Sequence, residues 1–153
     1  MKLSDLNANY LIQKLEELNG LTDSNKRGRE FENLLEHLFR ASGLWCKRDV
    51  RSDAREQIDL IVRWEQYLAL VEAKWQKNPV SITQLQAFQW RLRQRGNVTI
   101  GIFIAINGFS DFALQEAKIQ ETSLLLLDET DLSAILSQNT SLTEILWMKL
   151  WEI

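Results

Sequence analysis

The stretch IDLIVRWEQYLALVEAK, residues 58–74, decides the fold of this chain. It contains two apolar runs, each typical of a buried β-strand, separated by the polar pair Glu65-Gln66. Charged residues interrupt both runs: Asp59 in the first, and Glu72 and Lys74 in the second. Burying such groups is unfavourable unless they pair with each other or bind a metal. The stretch therefore predicts a β-hairpin with a polar site built into it.

The predicted hairpin brings its charged residues to one face of the sheet. Glu72 and Lys74 are two positions apart, so on a strand their side chains point the same way. In a tight antiparallel hairpin about Glu65-Gln66, opposed residue numbers add up to 131, as those of Asp59 and Glu72 do. Directly opposed side chains share a face, with Cβ atoms about 4.5–5.5 Å apart. We expect this register, although Glu-Gln is not a favoured two-residue turn.

Length and composition are those of one globular domain. The 153 residues are enough to bury a hydrophobic core without support from disulfide bonds or structural metal ions. The single cysteine, Cys46, excludes an internal disulfide and favours a reducing compartment. No apolar run approaches the roughly 20 residues that cross a bilayer, and residues 1–5 lack a signal-peptide layout. We expect a cytoplasmic protein with no membrane partner.

Charge is distributed unevenly along the chain. The net charge is −3, which at first argues against a nucleic-acid partner. Residues 26–95, however, contain 14 Lys and Arg against 9 Asp and Glu, whereas the remainder contains 4 against 12. The basic excess therefore lies in the segment that carries the predicted site, and a local basic surface is compatible with the acidic whole.

Hydrophobic periodicity predicts helices and strands on both sides of the hairpin. The predicted strands cover residues 44–50, 58–64, 67–75, 98–106 and 123–127. The predicted helices cover residues 4–19, 29–41, 81–95, 110–119, 128–137 and 141–151, with a polar loop at 21–28. This order predicts an α/β layered domain with a mixed sheet. Without repeats or a linker, residues 1–153 are expected to form one domain.

Two helix starts carry capping-box sequences. Ser81 and Gln84 form an S-x-x-Q pattern, and Ser141 and Glu144 form S-x-x-E. In such a box, each side chain is expected to accept a hydrogen bond from the other residue's backbone N–H.

The charged residues of the hairpin suit a Mg²⁺ site. Asp59 and Glu72 carry the hard oxygen ligands that Mg²⁺ prefers, and the backbone carbonyl of Ala73 could add another. Lys74 would lie beside the metal, where it could orient or deprotonate a water or stabilise negative charge. The alternative is a structural ion pair among Asp59, Glu72 and Lys74 on a half-exposed sheet.

Asp59, followed by Glu72-Ala73-Lys74 on the next strand, resembles the D…(D/E)xK signature of the PD-(D/E)xK nuclease superfamily. The closer resemblance is to its Mrr-like restriction endonuclease branch, which is also similar to archaeal Holliday-junction resolvases. The upstream motif G-x-x-[FY]-E of that branch is similar to residues 28–32, GREFE, and this places Glu32 at the family's acidic helix position. The late apolar strand, turn and helix at 98–113 and the short strand at 124–128 are also similar.

The resemblance implies a restriction-endonuclease-like fold, a central mixed β-sheet flanked by helices. Its core is expected at about residues 26–132, with an added N-terminal helix at 4–19 and C-terminal helices at 128–151. It also implies a Mg²⁺-dependent endonuclease that hydrolyses DNA, with Mn²⁺ as a substitute and Glu32, Asp59, Glu72 and Lys74 as catalytic residues. The alternative is a catalytically inactive module that binds nucleic acid or a protein. A homodimer would suit double-strand cleavage.

The chain departs from the superfamily pattern at two places. Ile58 stands before Asp59, where the superfamily's name has proline. A Q-x-x-x-Y motif of some branches has only Gln86-x-x-x-Trp90 as its nearest match. Gln86 is therefore only an accessory candidate. Glu30 is the other accessory candidate and competes with Glu32 on the same helix. Because it lies nearly opposite Glu32 around the helix, we expect only one of the two to face the site.

Arginines cluster around the predicted site. Those considered for phosphate contact are Arg48, Arg51, Arg55, Arg91, Arg93 and Arg95. Phosphate contacts would set affinity and salt dependence. The alternative is solubility, with the later three favoured by the helix dipole.

Three other residue types are interpreted as structural. His37 is expected at a helix surface or boundary, and Cys46 in the core. Trp147 and Trp151 lie at i and i+4 on the last helix, where they would close the core or form a dimer contact.

Overall fold

A computed structural model describes residues 1–50, 58–119 and 123–152, with the backbone alone for Val50, Ile58 and Asp59. The helices are α1 (Asp5–Asn19), α2 (Ser24–Ala41), α3 (Ile82–Gln94), α4 (Asp111–Ile119), α5 (Glu129–Leu136) and α6 (Leu142–Trp151). The strands are β1 (Trp45–Val50), β2 (Ile58–Trp64), β3 (Tyr67–Lys74), β4 (Ile100–Ala105) and β5 (Ser123–Leu127). No helix within these ranges is both long and apolar enough to cross a membrane.

The strands form one mixed sheet in the order β1-β2-β3-β4-β5. The first three strands pair antiparallel, and β3, β4 and β5 pair parallel. This confirms the predicted mixed sheet flanked by helices. Strand β3 joins the two halves because it pairs antiparallel on one edge and parallel on the other.

The register of the hairpin is the predicted one. Trp64 pairs with Tyr67 and Leu60 with Val71, so the partner numbers add up to 131 along the ladder. The turn places Glu65 at a φ of 53°, in the left-handed region that residues other than glycine seldom adopt. The apolar pattern of both strands therefore fixes the register even though the turn sequence does not favour it.

The sheet separates two apolar clusters. One face contacts α1, α2, α5 and α6 through a large cluster that includes Phe31, Val62 and Trp64. The other face contacts α3 and α4 through a smaller cluster that includes Leu70 and Phe103. Alternate residues of each strand enter different clusters, as the two-residue period of a strand requires. Polar residues at the ends of these strands consequently lie between two helical layers.

Helix α2 corrects the predicted loop at residues 21–28. The helix begins at Ser24, five residues earlier than predicted, because the Asp23 side chain accepts hydrogen bonds from the backbone N–H of Asn25 and Lys26 at 3.0 and 3.2 Å. Such an N-cap stabilises a helix start. Gly28 is therefore inside the helix and does not end a loop.

The capping boxes form in part as predicted. Ser81 and Gln84 make both hydrogen bonds of the box. Ser141 accepts from the Glu144 N–H at 3.1 Å, but the Glu144 carboxylate accepts instead from the Thr140 hydroxyl at 2.8 Å. A second complete box, Asp128 with Asp131, was not predicted.

The last helix closes the larger cluster with one of its two tryptophans. Trp147 packs edge-on against Trp64 with ring centroids 5.1 Å apart. Trp151 is exposed over 83% of its surface. Of the two interpretations of this face, closing the core applies to Trp147.

A glycine in β4 provides a test of the packing between α3 and the sheet. A Cβ at Gly101 would lie 2.7 Å from Leu92 and 2.9 Å from both Leu124 and Phe88. Since overpacking typically costs about 1–3 kcal/mol, Gly101→Ala is expected to lower the free energy of unfolding by that amount, measured as a lower urea midpoint at an unchanged m-value. Gly28→Ala is the matched control, because nothing lies within 4 Å and alanine stabilises a helix by about 0.5–1 kcal/mol. Equal effects of both changes would contradict this packing.

Candidate functional site

The candidate site lies where the pairing of β2 with β3 ends. The last pair of that ladder is Leu60 with Val71, and Glu72, Ala73 and Lys74 complete β3 beyond it. The Asp59 backbone is the next residue of β2, where it pairs with Asp49 of β1. Its side chain is outside the description. The structure thus places the backbone of Asp59 and the residues 72–74 at the same end of the sheet.

Glu72 is a partly buried carboxylate with both oxygens engaged. Its side chain is 18% exposed, and its Oε2 forms an ion pair with Nη1 of Arg91, which is 11% exposed. Its Oε1 accepts a hydrogen bond from the backbone N–H of Ala73 at 3.2 Å. A charge-assisted hydrogen bond such as the one between the Arg91 guanidinium and the Glu72 carboxylate is among the strongest in proteins. The Arg91 guanidinium therefore compensates the charge of Glu72 that burial would otherwise disfavour.

The structure brings Glu32, and not Glu30, towards Glu72. Burial raises the pKa of the Glu32 carboxyl above its ordinary value, and the negative charge of Glu72 raises it further. The positive charges of Arg48, Lys74 and Arg91 oppose that rise in pKa. Although Glu32 as a whole residue is exposed, protein atoms crowd its carboxyl group. Glu30 instead lines a groove between α1 and α2.

Lys74 and Ala73 present different groups at this end of β3. The Lys74 side chain shares a face with Glu72, two positions earlier, and is partly buried. Its backbone carbonyl accepts from the Ile106 N–H at 3.1 Å, beside β4. Because successive carbonyls of a strand point to opposite edges, the Ala73 carbonyl points towards β2. The carbonyl is thus on the same side as the Asp59 backbone.

These groups suit a divalent cation. Within residues 1–50, 58–119 and 123–152, no three His, Cys, Asp or Glu side chains form a metal-binding group. The Asp59 carboxylate belongs to the predicted ligand set with Glu72 and the Ala73 carbonyl, but the Asp59 side chain lies outside the described residues. Two carboxylates, Glu32 and Glu72, lie near enough that one raises the pKa of the other. A cation between them would relieve this repulsion, and carboxylate and carbonyl oxygens are the ligands Mg²⁺ prefers.

Three of the arginines considered for phosphate contact have carboxylate partners. Arg48 forms an ion pair with Glu36 and donates to Asn33 Oδ1 at 2.7 Å. Arg95 forms an ion pair with Asp49 at 2.7 Å, and Arg91 forms the pair with Glu72. Arg51 and Arg55 lie outside the described residues.

The ion pairs shift the pKa values of the partner acids. Hydrogen bonding to Arg48 lowers the pKa of Glu36, and hydrogen bonding to Arg95 lowers that of Asp49. Sequence reasoning missed all three pairs because their members come from different elements. No local spacing rule joins Glu72 to Arg91, 19 residues later, or Asp49 to Arg95, 46 residues later.

Other candidates have different surroundings. Gln86 is exposed on α3, while Gln84 exchanges hydrogen bonds with Gln76 at 2.9 and 2.8 Å in addition to capping the helix. His37 stacks on Tyr10 with centroids 4.7 Å apart at the α1–α2 contact. Cys46 is buried, and burial raises the pKa of its thiol to about 11, which makes it an unreactive core residue.

A protein-family comparison identifies the domain. The family model Mrr_cat, described as restriction endonuclease, matches residues 24–136. The chain belongs to this restriction endonuclease family, and the domain is a restriction-endonuclease-like nuclease domain. The match covers the core predicted at about residues 26–132. No curated protein sequence matches the chain.

Solved structures share the fold. The DNA modification-dependent restriction endonuclease AspBHI is 15% identical with a TM-score of 0.60, over 97% of this chain and 40% of that one. The MspJI restriction endonuclease in complex with a 27-mer oligonucleotide is 17% identical with a TM-score of 0.52, over 97% and 36%. A protein of unknown function, AF1548, is 14% identical with a TM-score of 0.54, over 76% and 63%. This chain spans less than half the length of the two endonucleases.

The raised pKa of Glu32 predicts a pH-dependent stability. A folded-state pKa above the unfolded value means that stability falls as pH rises through the titration of that carboxyl. Glu32→Gln removes the ionising group, so without divalent metal it is expected to raise the melting temperature at pH 7, with a difference that shrinks as the pH is lowered past 4.5. Thermal unfolding in EDTA measures this. Glu30→Gln, on the same helix but away from Glu72, is the control.

A lower melting temperature of Glu32→Gln at every pH would show that Glu32 is favourably placed as a charged group. That result would contradict its position beside the negative charge of Glu72.

Proposed function

We propose that this domain is a Mg²⁺-dependent endonuclease that hydrolyses phosphodiester bonds in DNA. The observation that carries the proposal is the mutual placement of Glu32, Glu72 and Lys74 at one end of β3. The two carboxylates come from different elements, and the pKa of one responds to the charge of the other. A lysine lies on the same face of the strand as Glu72. Family membership supports a nuclease in general, and these residues supply the chemistry.

Asp59, Glu72 and the carbonyl of Ala73 would hold the metal. Bound there, Mg²⁺ would supply charge relief at the phosphate and a lower pKa of bound water, and Mn²⁺ would substitute because it accepts the same oxygen ligands. Glu32 would assist directly or through a water.

Lys74 would act on the attacking water or on the negative charge of the phosphate. Its ammonium lies near enough to Glu32 to lower the pKa of that carboxyl. A lysine in partly buried surroundings can lose its proton, which an arginine in the same place does not. Lys74 would orient the water or stabilise the negative charge of the phosphate as the ammonium, or accept a proton from the water as the free amine, while Glu32 accepts a hydrogen bond from the same water.

DNA is the proposed substrate on two grounds. MspJI, a structural neighbour, is a restriction endonuclease found in complex with an oligonucleotide. The segment that carries the site has a basic excess within an acidic chain. Cleavage of both strands of a duplex would need two such sites, which a homodimer of this cytoplasmic protein would provide.

The second candidate function is a nucleic-acid-binding or protein-binding module without catalysis. One observation favours it: Arg91 already neutralises Glu72, the proposed ligand. If that ion pair persists when divalent cations are present, the site holds no metal. Metal titration separates this function from the nuclease.

Cleavage assays test the assignment of Asp59 and Lys74. Asp59→Ala and Lys74→Ala are expected to lower the Mg²⁺-dependent cleavage rate of plasmid and branched DNA. For Lys74→Ala the expected loss is roughly 10²–10⁴-fold, as for loss of a general base. Lys77→Ala, an exposed lysine three residues beyond, is the matched control. Cleavage by both site variants at the parent rate would rule the assignment out.

Calorimetric titration tests the metal site. The parent is expected to bind Mg²⁺ and Mn²⁺, and Glu72→Gln to weaken that binding about 10-fold or more. Glu65→Gln, in the turn at the other end of the hairpin, should leave metal binding unchanged. Absence of binding by the parent, with DNA binding intact, would favour the non-catalytic module.

A further inference from the structure

One face of the antiparallel half of the sheet carries three rows of cross-strand neighbours. This face is the one opposite the larger apolar cluster, which Cys46 and Val62 enter from the alternate positions. The rows, in order towards the candidate site, are Trp45–Arg63–Leu68, then Lys47–Ile61–Leu70, then Asp49 beside the Asp59 backbone. The third row meets α3 through the Asp49–Arg95 ion pair.

The first row forms an open pocket. Its volume is about 490 Å³, and its lining residues are Trp45, Arg63, Gln66, Tyr67 and Leu68. Trp45 is exposed over 53% of its surface, although it is a large aromatic residue on a strand. The pocket therefore combines an accessible indole and a guanidinium on one surface.

Two exposed cations on this face form no ion pair among the described residues. Lys47 and Arg63 are exposed, and neither forms an ion pair within the described part of the chain. Arg48, Arg91 and Arg95 each bond to a carboxylate. Lys47 and Arg63 are thus better placed to contact phosphate groups than Arg48, Arg91 and Arg95 are.

The rows are in line with the candidate site. From Trp45 to Asp49 is four residues of strand, or about 13 Å at roughly 3.3 Å per residue. Lys47 and Asp49 are two positions apart on β1, so their side chains share this face and the second row adjoins the third. A strand of nucleic acid that reaches the site could therefore continue over Lys47 to the pocket.

We infer that Trp45 and Arg63 form a docking pocket for an unpaired base of the DNA strand that enters the candidate site. Lys47 contacts the phosphate backbone of that strand between the pocket and the site. This inference rests on the proposed function and assigns a substrate-contact surface to it. Aromatic stacking tolerates any base because every base has a π-face, and arginine adds a cation–π contribution. We take the occupant to be a polyanion because Lys47 and Arg63 are exposed cations that form no ion pair among the described residues.

Binding of single-stranded DNA without metal tests the pocket. Fluorescence anisotropy of a fluorescein-labelled oligothymidine is measured in EDTA, so that cleavage does not interfere. Trp45→Ala is expected to weaken binding about tenfold, as for the loss of one stacked base. Trp45→Phe should restore most of the affinity. Arg63→Ala should weaken binding through loss of its cation–π contribution, and Lys47→Ala, which removes the proposed phosphate contact, should reduce the salt slope by about one.

Two controls match the variants. Trp90 is exposed over 54% of its surface on α3, outside the pocket, so Trp90→Ala should leave the affinity unchanged. Lys14→Ala removes a surface charge on α1, which packs on the other face of the sheet. Melting temperatures confirm that each variant folds.

The outcomes separate this inference from the proposed function. Unchanged affinity in Trp45→Ala and Arg63→Ala, with parent binding and Mg²⁺-dependent cleavage intact, would overturn the pocket and leave the nuclease standing. A parent that binds no DNA would overturn both. An equal loss for a blunt duplex, whose bases are all paired, would overturn the stacking role of Trp45.

Discussion

The antiparallel pairing of β2 with β3 determines where the charged residues of the site lie. Because the side-chain period of a strand is two, a slip of one residue would move Glu72 and Lys74 to the opposite face. Buried apolar residues on both strands oppose such a slip, and they prevail over a turn whose Glu65 has a positive φ. The ladder then ends at Leu60 and Val71, so polar groups beyond it are free to face the space between the helical layers.

Charge compensation is the second constraint on the site. One acidic residue from each of α2, β1 and β3 has an arginine partner, in the pairs Glu36–Arg48, Asp49–Arg95 and Glu72–Arg91. Glu32 forms no ion pair with any residue that the structure describes, and burial together with the charge of Glu72 raises its pKa. The contrast singles out Glu32 as the carboxylate whose environment is least favourable for a negative charge, as is common at functional sites.

Sequence reasoning could predict what depends on local pattern. The strands β2 and β5, the hairpin register and the Ser81 cap follow from periodicity and short-range chemistry. It could also name Glu32 before Glu30, through a motif. It missed the start of α2, because Asp23 reads as a loop residue unless its bonds to Asn25 and Lys26 are known.

The arginine partners were beyond prediction for a different reason. Arg48 and Arg91 look like free cations in a linear chain, and only the packing of α2 and α3 on opposite faces of the sheet supplies their acids. Long-range pairs leave no periodic trace, whereas strands and caps do. The same packing leaves Lys47 and Arg63 without an ion pair in the described part of the chain, which charge density along the sequence cannot show.

The Arg91–Glu72 pair has a consequence for how such domains change over generations. Because Arg91 already balances the charge of the partly buried Glu72, this acid does not by itself require a bound cation for the domain to fold. Substitution of another proposed ligand would then remove the proposed activity and leave the domain folded. Loss of the proposed activity and loss of structure are separable in this architecture, so related chains can lose nucleic-acid cleavage and keep nucleic-acid binding.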